Sequence, residues 1–198
     1  MNEHELFSGS FDCTVVKWDT RFVKASTKQP FVHKIDVASA IQSVVESKSR
    51  MNNGDLEYLV SSMTPPFVHS LFFSRSFLLA GIENGLCLAF EPVNCELVGC
   101  RQLQPLNRAL TQFDQFQLGQ NTEGLVASGD GKLIDFVRLE SASQSGVNDL
   151  LKVDIKKEDS LRIQHGHKIN CIKFRGSKLY VADTSNDLNI YDFTDVSY

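Results

Sequence analysis

Leu6-Phe7-Ser8-Gly9-Ser10-Phe11-Asp12-Cys13-Thr14-Val15-Val16-Lys17-Trp18-Asp19-Thr20-Arg21 reads as two short strands around a tight turn. Leu6 to Ser10 is small and apolar, which suits a strand buried on both faces. Asp12 falls where a turn needs a side chain that bonds its own backbone. Thr14 to Trp18 is rich in β-branched residues and ends in the only Trp of the chain.

The same grammar recurs downstream. Gln29 to Val37 predicts a third strand beside the first two. Residues 38–65 break the pattern and read as a long insertion, partly mobile. Val37, Ile41, Val44 and Val45 fall at helical spacing, so a short amphipathic helix is expected there. Asn52-Asn53-Gly54-Asp55 is a turn, Leu56 to Ser61 has room for a short strand, and Pro65-Pro66 is extended. A second unit follows, with strands at Phe67 to Phe73, Phe77 to Gly81, Leu86 to Phe90 and Cys95 to Leu103. Its turn, Glu83-Asn84-Gly85, places Asn84 where the first unit has Asp12, and Asn-Gly is a strong tight-turn signal. Strands of a third unit are expected at Ala109 to Gln117, Gly124 to Ser128, Lys132 to Arg138 and Leu150 to Ile155. Its turn, Gly129-Asp130-Gly131, reads one residue short, which makes Phe136 the counterpart of Trp18 and Phe90. Ser141 to Asn148 and Lys156-Lys157-Glu158-Asp159 read as solvated loops. The last unit opens at Gly166-His167 and continues with Ile169 to Phe174, Leu179 to Asp183 and Leu188 to Tyr191.

The 198 residues suffice for a real core, and 42% hydrophobic content argues against global disorder. The net charge of −4 is scattered, with no basic stripe, so no nucleic-acid partner is expected. The five cysteines form no C-x-x-C pair and read as reduced thiols. No apolar run reaches the roughly 18 residues that a membrane span needs, so no membrane partner is expected. Met1-Asn2-Glu3-His4-Glu5 lacks the signature of a signal peptide, and no N-x-S/T acceptor occurs. These features predict an intracellular protein of the cytoplasm or nucleus.

Ser8, Gly9, Ser10, Asp12, Thr14, Trp18 and Asp19 match the S-G-S-x-D-x-T-x-x-x-W-D pattern of a WD40 blade, and the chain resembles the WD40-repeat β-propeller family. The resemblance implies an all-β fold, a WD40 β-propeller of about three to four blades, each of four antiparallel strands. The blade segments are approximately 5–37, 67–103, 109–155 and 166–192, with the insertion at 38–65. The first blade lacks its opening strand and the last its closing strand. An incomplete propeller, an open arc from a longer protein, is therefore expected. Four places carry a closer likeness to one protein of the family: Leu6 to Asp19, Thr64 to Ser70, Leu79 to Phe90, and Leu161 to Gly166 followed by Leu179 to Ser185. That likeness implies a seven-bladed propeller and a substrate receptor of the cullin-4 ubiquitin ligase.

A WD40 blade carries a buried hydrogen-bonded network. By that resemblance Ser8, Asp12 and Trp18 serve the first blade, Asn84 the second, and His167 and Tyr191 the last. Trp18-Asp19-Thr20-Arg21 forms a W-D-x-R element, which resembles the docking box of WD40 proteins that bind the cullin-4 ligase adaptor. Trp18, Asp19 and Arg21 are thus the expected partner-binding residues. An Arg there offers a planar fork of donors to carbonyls or carboxylates. The expected function is a non-enzymatic protein-protein interaction scaffold; the alternative is a peptide-binding module unrelated to ubiquitination. No metal site is expected, since no Cys or acidic residue stands at ligand spacing from His165 and His167. Gly129-Asp130-Gly131-Lys132 lacks the earlier Gly and following Ser or Thr of a phosphate loop. No catalytic residue, cofactor or small-molecule substrate is expected.

Overall fold

The computed structural model describes residues 3–23, 31–48, 64–74, 77–105, 108–118, 122–130, 132–141, 153–157 and 161–194. They form four antiparallel sheets. The first holds β1 (Glu5–Gly9), β2 (Thr14–Asp19) and β3 (Phe31–Asp36). One helix follows, α1 (Val37–Lys48). The second sheet is β4 (Val68–Ser74), β5 (Phe77–Ile82), β6 (Leu86–Phe90) and β7 (Leu97–Gln102). The third is β8 (Leu110–Leu118), β9 (Thr122–Gly129), β10 (Leu133–Ser141) and β11 (Val153–Lys157). Short β12 (Ile163–Gln164) shares the edge of β10 with β11. The fourth sheet is β13 (Ile169–Arg175), β14 (Lys178–Asp183) and β15 (Leu188–Asp192). This all-β arrangement fits a propeller-like architecture.

Successive sheets pack face to face, and the core lies in the three interfaces between them. Val15 and Ile35 of the first sheet meet Val68, Leu78, Leu88 and Phe90 of the second, with Val37 and Ile41 of α1 closing one end. Leu79, Cys87 and Ala89 meet Leu125, Ala127 and Val137. Phe116, Ile134 and Phe136 meet Ile172, Phe174, Leu179 and Val181. Polar ties cross each interface. Lys17, itself buried, donates to the Pro92 carbonyl at 2.9 Å. Ser70 Oγ donates to the Leu110 carbonyl at 3.0 Å. Asp114 accepts from Lys173 Nζ and from the Phe174 amide at 2.8 and 2.6 Å. All five cysteines are free thiols, and burial pushes the Cys87 thiol far above its ordinary range.

The turns joining β1 to β2, β5 to β6, β9 to β10 and β14 to β15 are the repeated piece. Gly9 pairs with Val15, Gly81 with Cys87, Ser128 with Ile134 and Ala182 with Leu188, so all four turns have one length. Cys13, Gly85 and Lys132 occupy the same place in three of them, each with φ near +60 to +70° (62°, 72° and 57°). The expected shorter turn in the third unit is therefore wrong. The residue in register with Trp18, Phe90 and Tyr191 is Val137, and each of the four pairs with a leucine: Leu6, Leu78, Leu125 and Leu179. Phe136 points to the opposite face, as a one-residue slip requires.

Two more expectations change. β1 is largely exposed rather than buried on both faces, because its outer face meets no other described sheet. Lys156 and Lys157 lie in β11, paired with Arg138 and Val137, not in a loop. The expected strand at Leu56 to Ser61 and the turn at Asn52 to Asp55 lie outside the described residues, as do Gly131 and most of the loop from Ser141.

Candidate protein-interaction site

β2 carries its β-branched residues to a corner at Asp19. There the Asp19 carboxylate accepts the Arg21 backbone N–H at 2.9 Å, which ends the strand and starts a single 3-10 turn, Thr20–Val23. Thr20 donates its amide and its hydroxyl to the His4 carbonyl at 2.8 and 3.1 Å. The Arg21 side chain folds back on the same carboxylate. Its Nε donates at 2.9 Å to Oδ1 and 3.1 Å to Oδ2, and a terminal nitrogen reaches Oδ2. The carboxylate is buried, whereas the Arg21 side chain is 56% exposed. The Arg21 hydrogen bonds hold the Asp19 carboxyl at about 2, well below the usual range, and Asp19 in turn raises Arg21. The result is a guanidinium fixed in direction with part of its donor fork facing solvent.

The corresponding corners carry no arginine at that place. Glu91 caps its corner by accepting the Val93 and Asn94 amides at 3.1 and 2.7 Å, and Asp192 accepts the Thr194 amide at 2.9 Å. By register the residues matching Arg21 are Val93, Glu140 and Thr194, so the arginine is particular to the first sheet.

At the other end of β2 lies an aromatic shelf. Phe11, 64% exposed, sits in the turn with its ring centroid 5.6 Å from Phe67 and 5.0 Å from His69. His69 in turn bonds the Glu83 carboxylate.

The network residues are placed as follows. Trp18 Nε1 donates to Ser8 Oγ at 2.8 Å, bringing that pair together. Asp12 does not join them. It closes the turn instead, accepting from the Thr14 amide at 3.1 Å and its hydroxyl at 2.6 Å. Asn84 is buried and donates to the Thr64 carbonyl at 3.4 Å. In the last sheet His165, not the expected His167, is the buried histidine; His167 is exposed. His165 Nε2 lies 2.6 Å from Asp183 Oδ2, and its Nδ1 lies 2.7 Å from the Tyr191 hydroxyl. Asp183 also accepts from the Ser185 amide at 2.6 Å and from Asn189 Nδ2 at 3.0 Å. The Ser185 bonds first, then His165, hold the Asp183 carboxyl at about 2. His165 and Asp183 were missed because Gln164-His165-Gly166-His167 offers two histidines of opposite facing. The available signal was that His165 stands four residues before β13 opens.

No family model matches the chain, and no curated protein matches it. Solved structures do. The computationally designed Ika8 protein aligns with a TM-score of 0.56 at 11% identity, over 97% of this chain and 44% of its own. The computationally designed Ika4 protein aligns at 0.54 and 12% identity, over 98% of this chain and 88% of its own. The chain thus spans less than half the length of the first. At these identities the likeness concerns the fold alone.

Proposed function

We propose that the protein is a WD40-repeat interaction scaffold, non-enzymatic, that docks on the adaptor of a cullin-4 ubiquitin ligase through Trp18, Asp19 and Arg21. One observation carries this reading: Arg21 is held by the buried Asp19 carboxylate with its guanidinium 56% exposed at a strand corner. A guanidinium fixed in this way loses little rotamer freedom on binding and can give its remaining donors to a partner. The order of segments, from Leu6 to Asp19 through Thr64 to Ser70 to Leu179 to Ser185, is similar to that of WD repeat-containing protein 53. By that similarity the four sheets are blades of a larger propeller, in an intracellular protein. The test compares adaptor recovery by the wild type and by Arg21→Ala. Arg21→Ala should lower recovery at least about tenfold, the loss of one charge-assisted anchor; equal recovery refutes the reading.

The exposed Phe11 beside Phe67 and His69 favours a second reading, a peptide-binding module unrelated to ubiquitination. It uses the rim opposite Arg21. Proximity labelling that returned protein partners but no ligase subunit would select it.

A further inference from the structure

The corner after β6 is built like the corner after β2, with Glu91 in the place of Asp19 and Val93 in the place of Arg21. Its backbone is pinned at several points. The Glu91 carboxylate accepts the Val93 and Asn94 amides at 3.1 and 2.7 Å. The Glu91 amide donates to the Glu96 carbonyl at 2.9 Å, and the Glu91 carbonyl accepts from the Cys95 amide at 2.8 Å. Cys95, at a φ of 59°, turns its side chain into the core between the first two sheets. The turn so fixed holds Val93 outward, 72% exposed, the highest value among the large apolar residues described. The second sheet is covered on both faces, by the first and by the third, so this exposure does not come from an open sheet face.

The two corners are tied to each other. Lys17, two residues before Asp19, is buried, and its Nζ donates to the carbonyl of Pro92, the neighbour of Val93. The same Nζ lies 3.0 Å from the Glu5 carboxylate, and Glu5 pairs with Asp19 across β1 and β2. Arg21 and Val93 therefore stand on one rim, about one sheet spacing (roughly 10 Å) apart. The two remaining corners present Glu140 and Thr194, both exposed. In chain order the rim thus offers a cation, an apolar side chain, a carboxylate and a hydroxyl. An acceptor oxygen of a partner suits the first place and is repelled at the third. An apolar recess suits the second alone. The rim seats a partner in one direction.

We propose that Val93 is the second anchor of the surface that Arg21 opens, a contact that rests on the reading of Arg21 as a docking residue. The protein that gives an acceptor oxygen to Arg21 holds an apolar recess for Val93 about one sheet spacing away. Arg21 supplies direction through its donor fork. Val93 supplies apolar area removed from water beside it. Both side chains are held in place before the partner arrives, so little freedom is lost on binding.

The test titrates the purified cullin-4 adaptor against the whole chain in four forms: wild type, Arg21→Ala, Val93→Asp and Val93→Ile. Urea unfolding of each form is followed in parallel. Val93→Asp places a charge in the recess and should weaken binding about tenfold. Val93→Ile keeps the apolar contact and should bind within about threefold of wild type. Unfolding midpoints of both Val93 variants should match the wild type, because the side chain faces solvent. Wild-type binding by Val93→Asp, with Arg21→Ala weakened, overturns the second anchor and leaves the Arg21 reading standing. Equal loss in Val93→Ile and Val93→Asp overturns the apolar contact. Wild-type binding by Arg21→Ala removes the Arg21 reading and the shared surface with it.

Discussion

At the scale of single residues, His165 shows how a side chain becomes fixed. Both ring nitrogens have partners, and the ring is buried at 4% exposure. His165→Ala strands the Asp183 carboxylate and the Tyr191 hydroxyl and should cost about 2 kcal/mol in denaturant unfolding. His167→Ala, two residues on and exposed, should stay within about 0.5 kcal/mol. The carboxylates make stability acid-sensitive. Asp183 sits at about 2, as do Asp19 under its Arg21 bonds and Asp192 under its Thr194 bonds. A folded value below the unfolded one gives stability that is complete above about pH 4 and lost as pH falls towards 2. Acid titration followed by circular dichroism should show that decline, and Asp183→Asn should make it shallower. The sequence singled out Trp18, Asp19 and Arg21 by their spacing, but not the bonds by which the Asp19 carboxylate holds Arg21, which depend on how the chain turns after β2. The identity of the buried histidine was not legible either, because burial depends on how the sheet packs and two histidines flank one glycine.

At the scale of elements, a strand residue without a side chain lets the second and third sheets approach closely. A methyl on Gly81 would overlap the Leu110 carbonyl across the second interface and the Ser70 hydroxyl of the neighbouring strand β4. Gly81→Ala should therefore cost about 1–3 kcal/mol, as overpacking does, read from urea unfolding. Gly166, which has open space where its Cβ would lie, is the matching control, and Gly166→Ala should leave stability nearly unchanged. Strand positions were readable because alternation and the Asp12 and Asn84 turns are short-range signals. The third unit was misread by one residue because an aromatic residue drew the register to Phe136. Nothing local distinguishes Phe136, which packs against the fourth sheet, from Val137, which packs against the second. The amphipathic pattern did find α1, where Val37, Ile41 and Val44 are all buried.

At the scale of the molecule, burial is concentrated in the middle sheets. β5 and β6 are buried at nearly every position, whereas β1 and β15 are exposed at alternate or more frequent positions. Local opening costs least where few apolar contacts must break. Hydrogen exchange should find β5 and β6 slowest and β1 and β15 fastest. Uniform protection across the four sheets would contradict a core confined to the interfaces. Among the described residues no helix is long and apolar enough to cross a membrane.

Among the described residues, every strand pairing but that of β12 with β10 joins strands consecutive in the order of the chain. Each sheet can thus close from a stretch already synthesised, without waiting for distant sequence, and contacts of short range favour fast folding. The first and second sheets then meet through Val15 and Val68 before the fourth exists. For a chain emerging from the ribosome, assembly runs one sheet at a time from the N-terminal end. Of the faces of these four sheets, the one bearing the exposed Leu188 and Ile190 is the last to leave the ribosome, and it packs on none of the other three.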